Sequence, residues 1–312
     1  MLSIINRIKN PSHTLAGILR KVWFLFPNDK SFLKTMYRLE IGKKLNLTNP
    51  NSFNEKLQWL KLYDRKPDYI KMVDKISAKD YVASIIGDKY IIPTYGVWSH
   101  YDEIDFSSLP EQFVLKTNHS GGGSGVVLCF DKNKFDHKNA RKKLEASLRK
   151  NSYNQSKEWP YKNIEPRILA EAMLSEGTNS NNEFDLPDYK FMCFNGRVKC
   201  IFTCTNRYSS NGLCVTFFDP NWEMLPFSRN HPIDNNPIAK PKSLELMIEL
   251  AEKISHNICF ARIDFYQIND MPYFGEITLY PGGGWEKFEP EEWDEKLGNW
   301  ITLPSEKNDQ VK

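Results

Sequence analysis

Several features that would assign this sequence to a broad class are missing from it. Its 312 residues contain no apolar run of the roughly 18 residues that a membrane-spanning helix needs. The first residues have neither a long apolar core nor a small-residue cleavage site, so no signal peptide is predicted and a cytoplasmic location is expected. The six cysteines lack zinc-type spacing and are predicted to be free thiols. A net charge of +3 is too small to indicate a nucleic-acid partner.

The positive charge is concentrated at the N-terminal end. Residues 1–44 carry nine Lys and Arg against two acidic residues, a net charge of +7 that leaves −4 for the rest of the chain. The same segment contains many apolar and aromatic side chains. Such a segment can lie on anionic lipid, which would give peripheral membrane contact at the inner face, or bind an anionic polymer. The alternative, which we favour from sequence, is a helical lobe that packs its apolar side on the body and solvates its charges.

The order of the predicted elements indicates an α+β fold. Residues 1–70 are predicted to be a mostly helical, basic segment in which Ser52 and Glu55 form a capping box. A central lobe over residues 71–165 begins with a helix from Asp74 to Ile86 and contains two strands around a glycine-rich loop. The last lobe, residues 166–312, is rich in strands. Strands and helices mix without strict alternation, which argues against a doubly wound sheet.

A glycine-rich loop follows the strand that ends at Lys116. Glycines let backbone N–H groups crowd around a phosphate, and the lysine would add a fixed charge. The loop is not a Walker A motif, because no Gly-Lys-Ser/Thr ends it and a strand follows it. A plain flexible hairpin loop is the alternative. The candidate phosphate-binding positions in this loop are Ser120, Gly121, Gly122 and Gly123.

Two further predicted strands bring carboxylates together near the C-terminal end. Arg262 and Asp264 share one strand face, as do Glu276 and Thr278 on the next strand. If the strands pair, Asp264 and Glu276 can face one another, and a bound Mg²⁺ would relieve their repulsion. Arg262 would then lie where a developing oxyanion needs compensation. The alternative is a pair of solvated carboxylates at a sheet edge with Arg262 as their counterion.

These motifs resemble a known family. Arg-x-Asp-Phe at 262–265, a carboxylate at Glu276 and Pro-Gly-Gly at 281–283 resemble the metal-binding end of ATP-grasp enzymes such as D-alanine–D-alanine ligase. More narrowly, the chain resembles the TupA-like ATP-grasp family of polysaccharide gene clusters from about Asn51 to Trp300. The segments that carry this narrower resemblance are 53–59, 74–75, 113–122, 188–190, 194–196 and 217–219, followed by Trp222.

The resemblance implies an ATP-grasp fold, in which two α+β lobes clasp ATP. Lys75 and Lys116 would hold the α- and β-phosphates, and residues 120–125 would cover the γ-phosphate. Glu171 would meet adenine near the hinge, and Asp188 would bind the ribose.

The remaining site residues follow from the same resemblance. Lys190 is either a phosphate ligand or a surface charge. Asp264 and Glu276 would bind Mg²⁺. The family usually has Asn two residues after the second acid, whereas this chain has Thr278, which would bind metal more weakly or do something else.

The implied activity is carboxylate–amine ligation through an acylphosphate. Lys116 would neutralise charge in the phosphoryl-transfer transition state, and Arg262 would stabilise the tetrahedral oxyanion. The expected substrates are a sugar acid, nucleotide sugar or lipid-linked glycan and an amine such as an amino acid, in capsule or lipopolysaccharide assembly. One alternative is a sugar transferase, although no Asp-x-Asp motif occurs. The other is a non-catalytic scaffold, which Thr278 would support.

Overall fold

The computed structural model describes residues 11–121, 123–174, 188–206 and 212–304. Gly122, the predicted loop 175–187 and the first ten residues of the basic segment therefore lie outside the described residues. Helices and antiparallel sheets alternate irregularly along the chain, which confirms the predicted α+β class. The division into segments ending near residues 70 and 165 stays a prediction.

The N-terminal part is helical, as predicted. Asn28 caps α2 by accepting a hydrogen bond from Ser31 N, and the capping box of Ser52 and Glu55 begins α3. Within the described residues, no helix combines the length and the apolarity needed to cross a bilayer. The helices of this part are α1 (Pro11–Lys21), α2 (Asp29–Glu40), α3 (Phe53–Tyr63), α4 (Asp68–Val73) and α5 (Ser77–Ile86).

The predicted helix from Asp74 is shorter than expected. Helix α5 begins at Ser77, and Asp74 instead ends α4 in an extended conformation. Its carboxylate accepts hydrogen bonds from Ile76 N at 3.1 Å and from Asn118 Nδ2 at 3.0 Å. This side chain therefore competes with helix continuation, as short acidic side chains do near helix ends.

A four-stranded antiparallel sheet follows, in the order β1-β4-β2-β3. The glycine-rich loop connects β2 to β3, as predicted. Helix α6 packs on β2 and β3 and closes a small separate core around Phe113, Leu115 and Leu144. The elements are β1 (Thr94–Trp98), β2 (Phe113–Thr117), β3 (Val126–Cys129), α6 (His137–Leu148), α7 (Ser152–Ser156) and β4 (Ile168–Ala172).

A five-stranded antiparallel sheet forms the larger core, in the order β10-β9-β5-β6-β7. Helix α8 covers one part of it, and α9 packs on α3. The elements are β5 (Asp188–Phe194), β6 (Arg197–Thr205), β7 (Cys214–Phe218), β8 (Ser228–Arg229), α8 (Leu244–Ile254), β9 (Phe260–Ile268), β10 (Met271–Thr278), β11 (Phe288–Glu289) and α9 (Glu292–Asn299).

Candidate functional site

One row of paired residues crosses all five strands of the larger sheet. Glu276 on β10 pairs with Asp264 on β9, which pairs with Lys190 on β5. The row continues through Phe202 on β6 to Phe217 on β7. Directly opposed residues in antiparallel strands place their side chains on the same face. The two acids therefore lie side by side, as the sequence predicted, and Lys190 is their neighbour rather than an isolated surface charge.

Arg262 and Lys190 bind the carboxylates of this row. Arg262 donates from Nε to Asp264 Oδ1 at 2.6 Å and from Nη2 to Asp264 Oδ2 at 2.7 Å. The same Nη2 lies 2.7 Å from Glu276 Oε1. Lys190 Nζ contacts Asp264 Oδ2 and Asp188 Oδ2, each at 2.6 Å. Arg262 is thus the counterion of both acids, but Asp264 is buried rather than solvated.

Lys75 connects this cluster to the glycine-rich loop. It lies between α4 and α5, and its Nζ is 3.2 Å from Glu276 Oε2. The same ammonium group donates to the carbonyl of Ser120 at 2.6 Å. The backbone N–H of Lys75 donates to the carbonyl of Asn118 at 3.0 Å. One predicted phosphate ligand therefore touches the predicted metal-binding acid and the loop predicted to cover the γ-phosphate.

A second charged cluster lies on the four-stranded sheet. Glu171 is 3% exposed, and its carboxylate bridges Lys116 and Lys79, with Lys79 Nζ 2.9 Å from Oε2. Lys79 also donates to the carbonyl of Ile92 and to Thr94 Oγ1, each at 2.7 Å. Our sequence reasoning missed Lys79. Its spacing of four residues from Lys75 gave no signal, because Lys75 precedes α5 and contacts Glu276, whereas Lys79 lies within α5 and contacts Glu171.

The charges around the two glutamates change their titration. Burial alone would raise the pKa of Glu276, but Lys75, Arg262 and Lys190 hold it well below its usual value. Burial would also raise the pKa of Glu171, and the adjacent ammonium groups of Lys116 and Lys79 lower it instead. Both glutamates are therefore ionised at neutral pH, with cations on each side.

The start of the glycine-rich loop is held by hydroxyl groups. Thr117 Oγ1 donates to Ser120 Oγ at 2.7 Å and lies 2.7 Å from Ser147 Oγ. A side chain at Gly125 would overlap these three hydroxyl oxygens. At Gly121 an added Cβ would meet nothing within 4 Å. The loop therefore needs glycine at position 125 for close packing, while position 121 opens onto free space.

The imidazole ring of His119, at the start of this loop, contacts two oxygen atoms of neighbouring residues. Its Nδ1 lies 3.0 Å from Asn118 Oδ1, and its Nε2 lies 2.9 Å from the carbonyl of Lys150. Burial lowers the pKa of this imidazole. Both neighbours are acceptor oxygens, so the neutral ring donates to one of them and packs against the other, and the residue holds the loop in place.

A family model of known proteins matches most of the chain. The model, described as TupA-like ATPgrasp, matches residues 55–302. This protein belongs to the TupA-like ATP-grasp family. The match ends beyond the five-stranded sheet and includes Lys75, Lys116 and the acids of β9 and β10. Among proteins with curated functions, none matches the chain significantly.

Solved structures of low sequence identity also align with it. D-alanine–D-alanine ligase from Helicobacter pylori is 15% identical with a TM-score of 0.43, covering 81% of this chain and 70% of its own. L-amino acid ligase from Bacillus licheniformis is 13% identical with a TM-score of 0.47, covering 92% and 66%. The ADP complex of N5-carboxyaminoimidazole ribonucleotide synthetase is 15% identical with a TM-score of 0.44, covering 81% and 58%. The chain thus spans about three fifths to seven tenths of their lengths.

Two carboxylates of this ATP-grasp protein fit a magnesium ion that binds together with the phosphates of a nucleotide. Asp264 and Glu276 offer the hard oxygen ligands that Mg²⁺ prefers, and Mg²⁺ usually takes only one or two protein carboxylates beside phosphate and water. No group of three or more His, Cys, Asp or Glu that could hold a metal occurs among the described residues. The hydroxyl of Thr278 donates to Glu276 Oε1 at 3.2 Å. Its predicted role as a ligand stays a prediction.

Asp188, which was predicted to bind the ribose, lies in the cluster of Lys190 and Asp264. It is the first residue of β5 and is buried beside Lys190. Its predicted contact with a ribose stays a prediction. The same holds for the adenine contact of Glu171, whose two oxygens are already paired with ammonium groups.

Proposed function

We propose that this protein is an ATP- and Mg²⁺-dependent ligase that joins a carboxylate to an amine through an acylphosphate. One observation carries the proposal: three cations and three carboxylates form a continuous, largely buried network between the sheet and the glycine-rich loop. The cations are Lys75, Lys190 and Arg262, and the acids are Asp188, Asp264 and Glu276. Family membership supplies the class of chemistry, and this network supplies the charges that such chemistry needs.

The first half-reaction is phosphoryl transfer. An oxygen of the substrate carboxylate attacks the γ-phosphorus of ATP, the bond to the β–γ bridging oxygen breaks, and ADP leaves. Lys75 and Lys116 would neutralise charge on the phosphates during this transfer. Ser120 and Gly121 would cover the γ-phosphate with the start of the loop, which excludes water. Holding the two reactants in line accounts for much of the rate enhancement in reactions of this kind.

The second half-reaction is acyl transfer to the amine. The amine nitrogen attacks the carbonyl carbon of the acylphosphate, loses a proton, and phosphate leaves as the amide forms. Arg262 would stabilise the oxyanion that develops on the carbonyl oxygen. Its guanidinium group is already oriented by Asp264 and Glu276, so little reorganisation would be needed.

Asp264 and Glu276 would hold the magnesium ion, which when bound neutralises charge on the β- and γ-phosphates. Their carboxylates would approach it from two neighbouring strands. Because every oxygen of these two carboxylates contacts Arg262, Lys190 or Lys75, the ion would enter by displacing guanidinium or ammonium contacts. We therefore expect the metal to bind together with the nucleotide rather than before it.

We further propose that the carboxylate belongs to a sugar acid, nucleotide sugar or lipid-linked glycan and that the amine is an amino acid. The support is the resemblance of the sequence to the TupA-like family of polysaccharide gene clusters, and capsule or lipopolysaccharide assembly would be the setting. The reaction would then take place in the cytoplasm or at the inner face of the membrane.

The test is isothermal titration of ATP and a non-hydrolysable analogue, with and without Mg²⁺. The comparison is between wild type, Asp264→Asn with Glu276→Gln, and Asp270→Asn as a matched control. Asp270 is an exposed acid in the same hairpin, paired only at the surface with Lys242. Mg²⁺-dependent binding that the double substitution abolishes and the control retains would support the nucleotide site.

Two results would contradict the proposal. Well-folded wild type that binds no nucleotide would remove the ligase interpretation and favour a sugar transferase or a scaffold. Nucleotide binding without release of ADP and phosphate for any tested pair of sugar acid and amino acid would contradict the ligase step alone. Release should be measured with both products quantified, since they form in equal amounts.

A further inference from the structure

The N-terminal helical part exposes an apolar patch at residues 15–25. Its large exposed side chains are Leu15, Ile18, Phe24 and Leu25, which are 45%, 54%, 64% and 70% exposed. Ala16 on the same helix is fully buried against the core, so α1 carries apolar residues on more than its packed side. Leu15 and Ile18 are three residues apart on α1, and Phe24 and Leu25 follow shortly after its end. Groups of large exposed apolar side chains mark surfaces that bind a partner or a membrane.

Exposed basic side chains occur near this patch, at the end of α1 and on α2, the helix that packs against α1. Lys21 is exposed within the patch, and Lys30, Lys34 and Arg38 are exposed along α2. Their spacing of four residues places the last three on one face of the helix, opposite the face that packs in the core. None of the four forms an ion pair with a residue in the described part of the chain. By contrast, Arg20 is paired with Glu40 at 2.6 Å.

The charge balance indicates which partner covers the patch. Residues 11–44 contain seven Lys and Arg against two acidic residues, a net charge of +5. A second copy of the chain, docked patch to patch, would bring the same positive charge against it, which is repulsive. An anionic bilayer instead attracts the lysines and accepts the apolar side chains, and peripheral binding is stable when both signals are present.

We propose that residues 15–25 and the exposed basic side chains of α2 dock this protein on an anionic lipid bilayer. Phe24 and Leu25 insert among the lipid chains, while Lys21, Lys30 and Lys34 lie at the headgroups. Docking is peripheral, and it concerns a surface that shares no residue with the nucleotide site.

The experiment is co-sedimentation of the full chain with vesicles that contain phosphatidylglycerol, compared with vesicles of phosphatidylcholine alone. Wild type is expected to sediment with the anionic vesicles and to remain in the supernatant with the neutral ones. Phe24→Ser with Leu25→Ser should weaken binding roughly tenfold or more, because each side chain loses its transfer into an apolar medium. Lys30→Gln with Lys34→Gln should weaken it by about tenfold as well, and added salt should reproduce that loss.

Met224→Ser is the matched control, because Met224 is 59% exposed but lies outside the patch. It should bind as wild type does, and all variants should unfold at the same denaturant concentration. The proposal is overturned if wild type does not bind the anionic vesicles, or if it binds both vesicle types equally. It is also overturned if Met224→Ser loses as much affinity as Phe24→Ser with Leu25→Ser, or if the chain is a dimer in solution that those two substitutions dissociate.

Discussion

Replacement of Glu171 by glutamine should destabilise the protein strongly. The carboxylate is 3% exposed and lies between the ammonium groups of Lys79 and Lys116, whose side chains are only 13% and 16% exposed. Glutamine keeps the shape of the side chain but leaves two buried cations without a counterion. Removing one partner of a buried ion pair costs about 3–5 kcal/mol, and we expect a loss of unfolding free energy in that range.

Urea denaturation measures this loss, with Asp102→Asn as the control. Asp102 also pairs with a cation, Arg141, but their side chains are 71% and 43% exposed. Such a surface pair contributes about 1 kcal/mol or less, so the control should remain close to wild type. Adding Lys79→Met to Glu171→Gln should recover part of the stability, because one uncompensated cation is removed. A Glu171→Gln protein within about 1 kcal/mol of wild type would refute the reasoning.

The pH dependence of stability provides an independent readout of the same group. Burial tends to raise the pKa of Glu171, but Lys116 and Lys79 lower it below its usual value. A carboxyl group with a depressed folded-state pKa stabilises the fold fully above its unfolded-state pKa, about 4.3. That contribution is lost as the pH falls through the folded-state pKa. Wild type should therefore lose stability in this acidic range more steeply than Glu171→Gln does.

Four further substitutions test local features by their effect on unfolding free energy. Ser52→Ala removes the hydroxyl that accepts from Glu55 N and should cost about 1 kcal/mol by urea denaturation. Gly125→Ala forces a Cβ into a hydroxyl cluster and should cost about 1–3 kcal/mol, whereas Gly121→Ala, with open space around it, should change stability by less than about 0.5 kcal/mol. Gly17 lies inside α1, and a Cβ added there would meet nothing within 4 Å. Gly17→Ala should therefore increase the unfolding free energy by about 0.5–1 kcal/mol and raise the thermal midpoint. Equal effects at 121 and 125, or destabilisation at 17, would contradict these assignments.

The parts of the fold that sequence predicted correctly depend on short-range patterns. The capping box at Ser52 needs only a residue three positions later, and the structure confirms it. That Asp264 and Glu276 lie on neighbouring antiparallel strands follows from two strands joined by a tight turn. Their direct opposition does not follow from the turn, whose register places Phe274 opposite Phe265. A bulge between Phe274 and Glu276 shifts the register by one residue and brings Glu276 opposite Asp264.

The parts that sequence could not supply depend on long-range placement. Strand β5 lies in the middle of the larger sheet, next to β9, although about 70 residues separate them along the chain. No local pattern could therefore show that Lys190 contacts Asp264 or that Asp188 joins the same cluster. Likewise, only the fold shows that Glu171 contacts Lys79.

The ion pairs of the site indicate how nucleotide and metal binding would be coupled. Arg262, Lys190 and Lys75 balance Asp188, Asp264 and Glu276, so the described cluster is formally neutral while buried charges remain paired. A metal ion alone would compete with these cations for the carboxylates, and a polyphosphate alone would compete with the carboxylates for the cations. When the metal ion and the polyphosphate bind together, the carboxylates pair with the metal and the cations pair with the phosphates. No buried charge is then left unpaired, and an unpaired buried charge would cost several kcal/mol. Because such coupling is reciprocal, each ligand should raise the affinity for the other by the same factor.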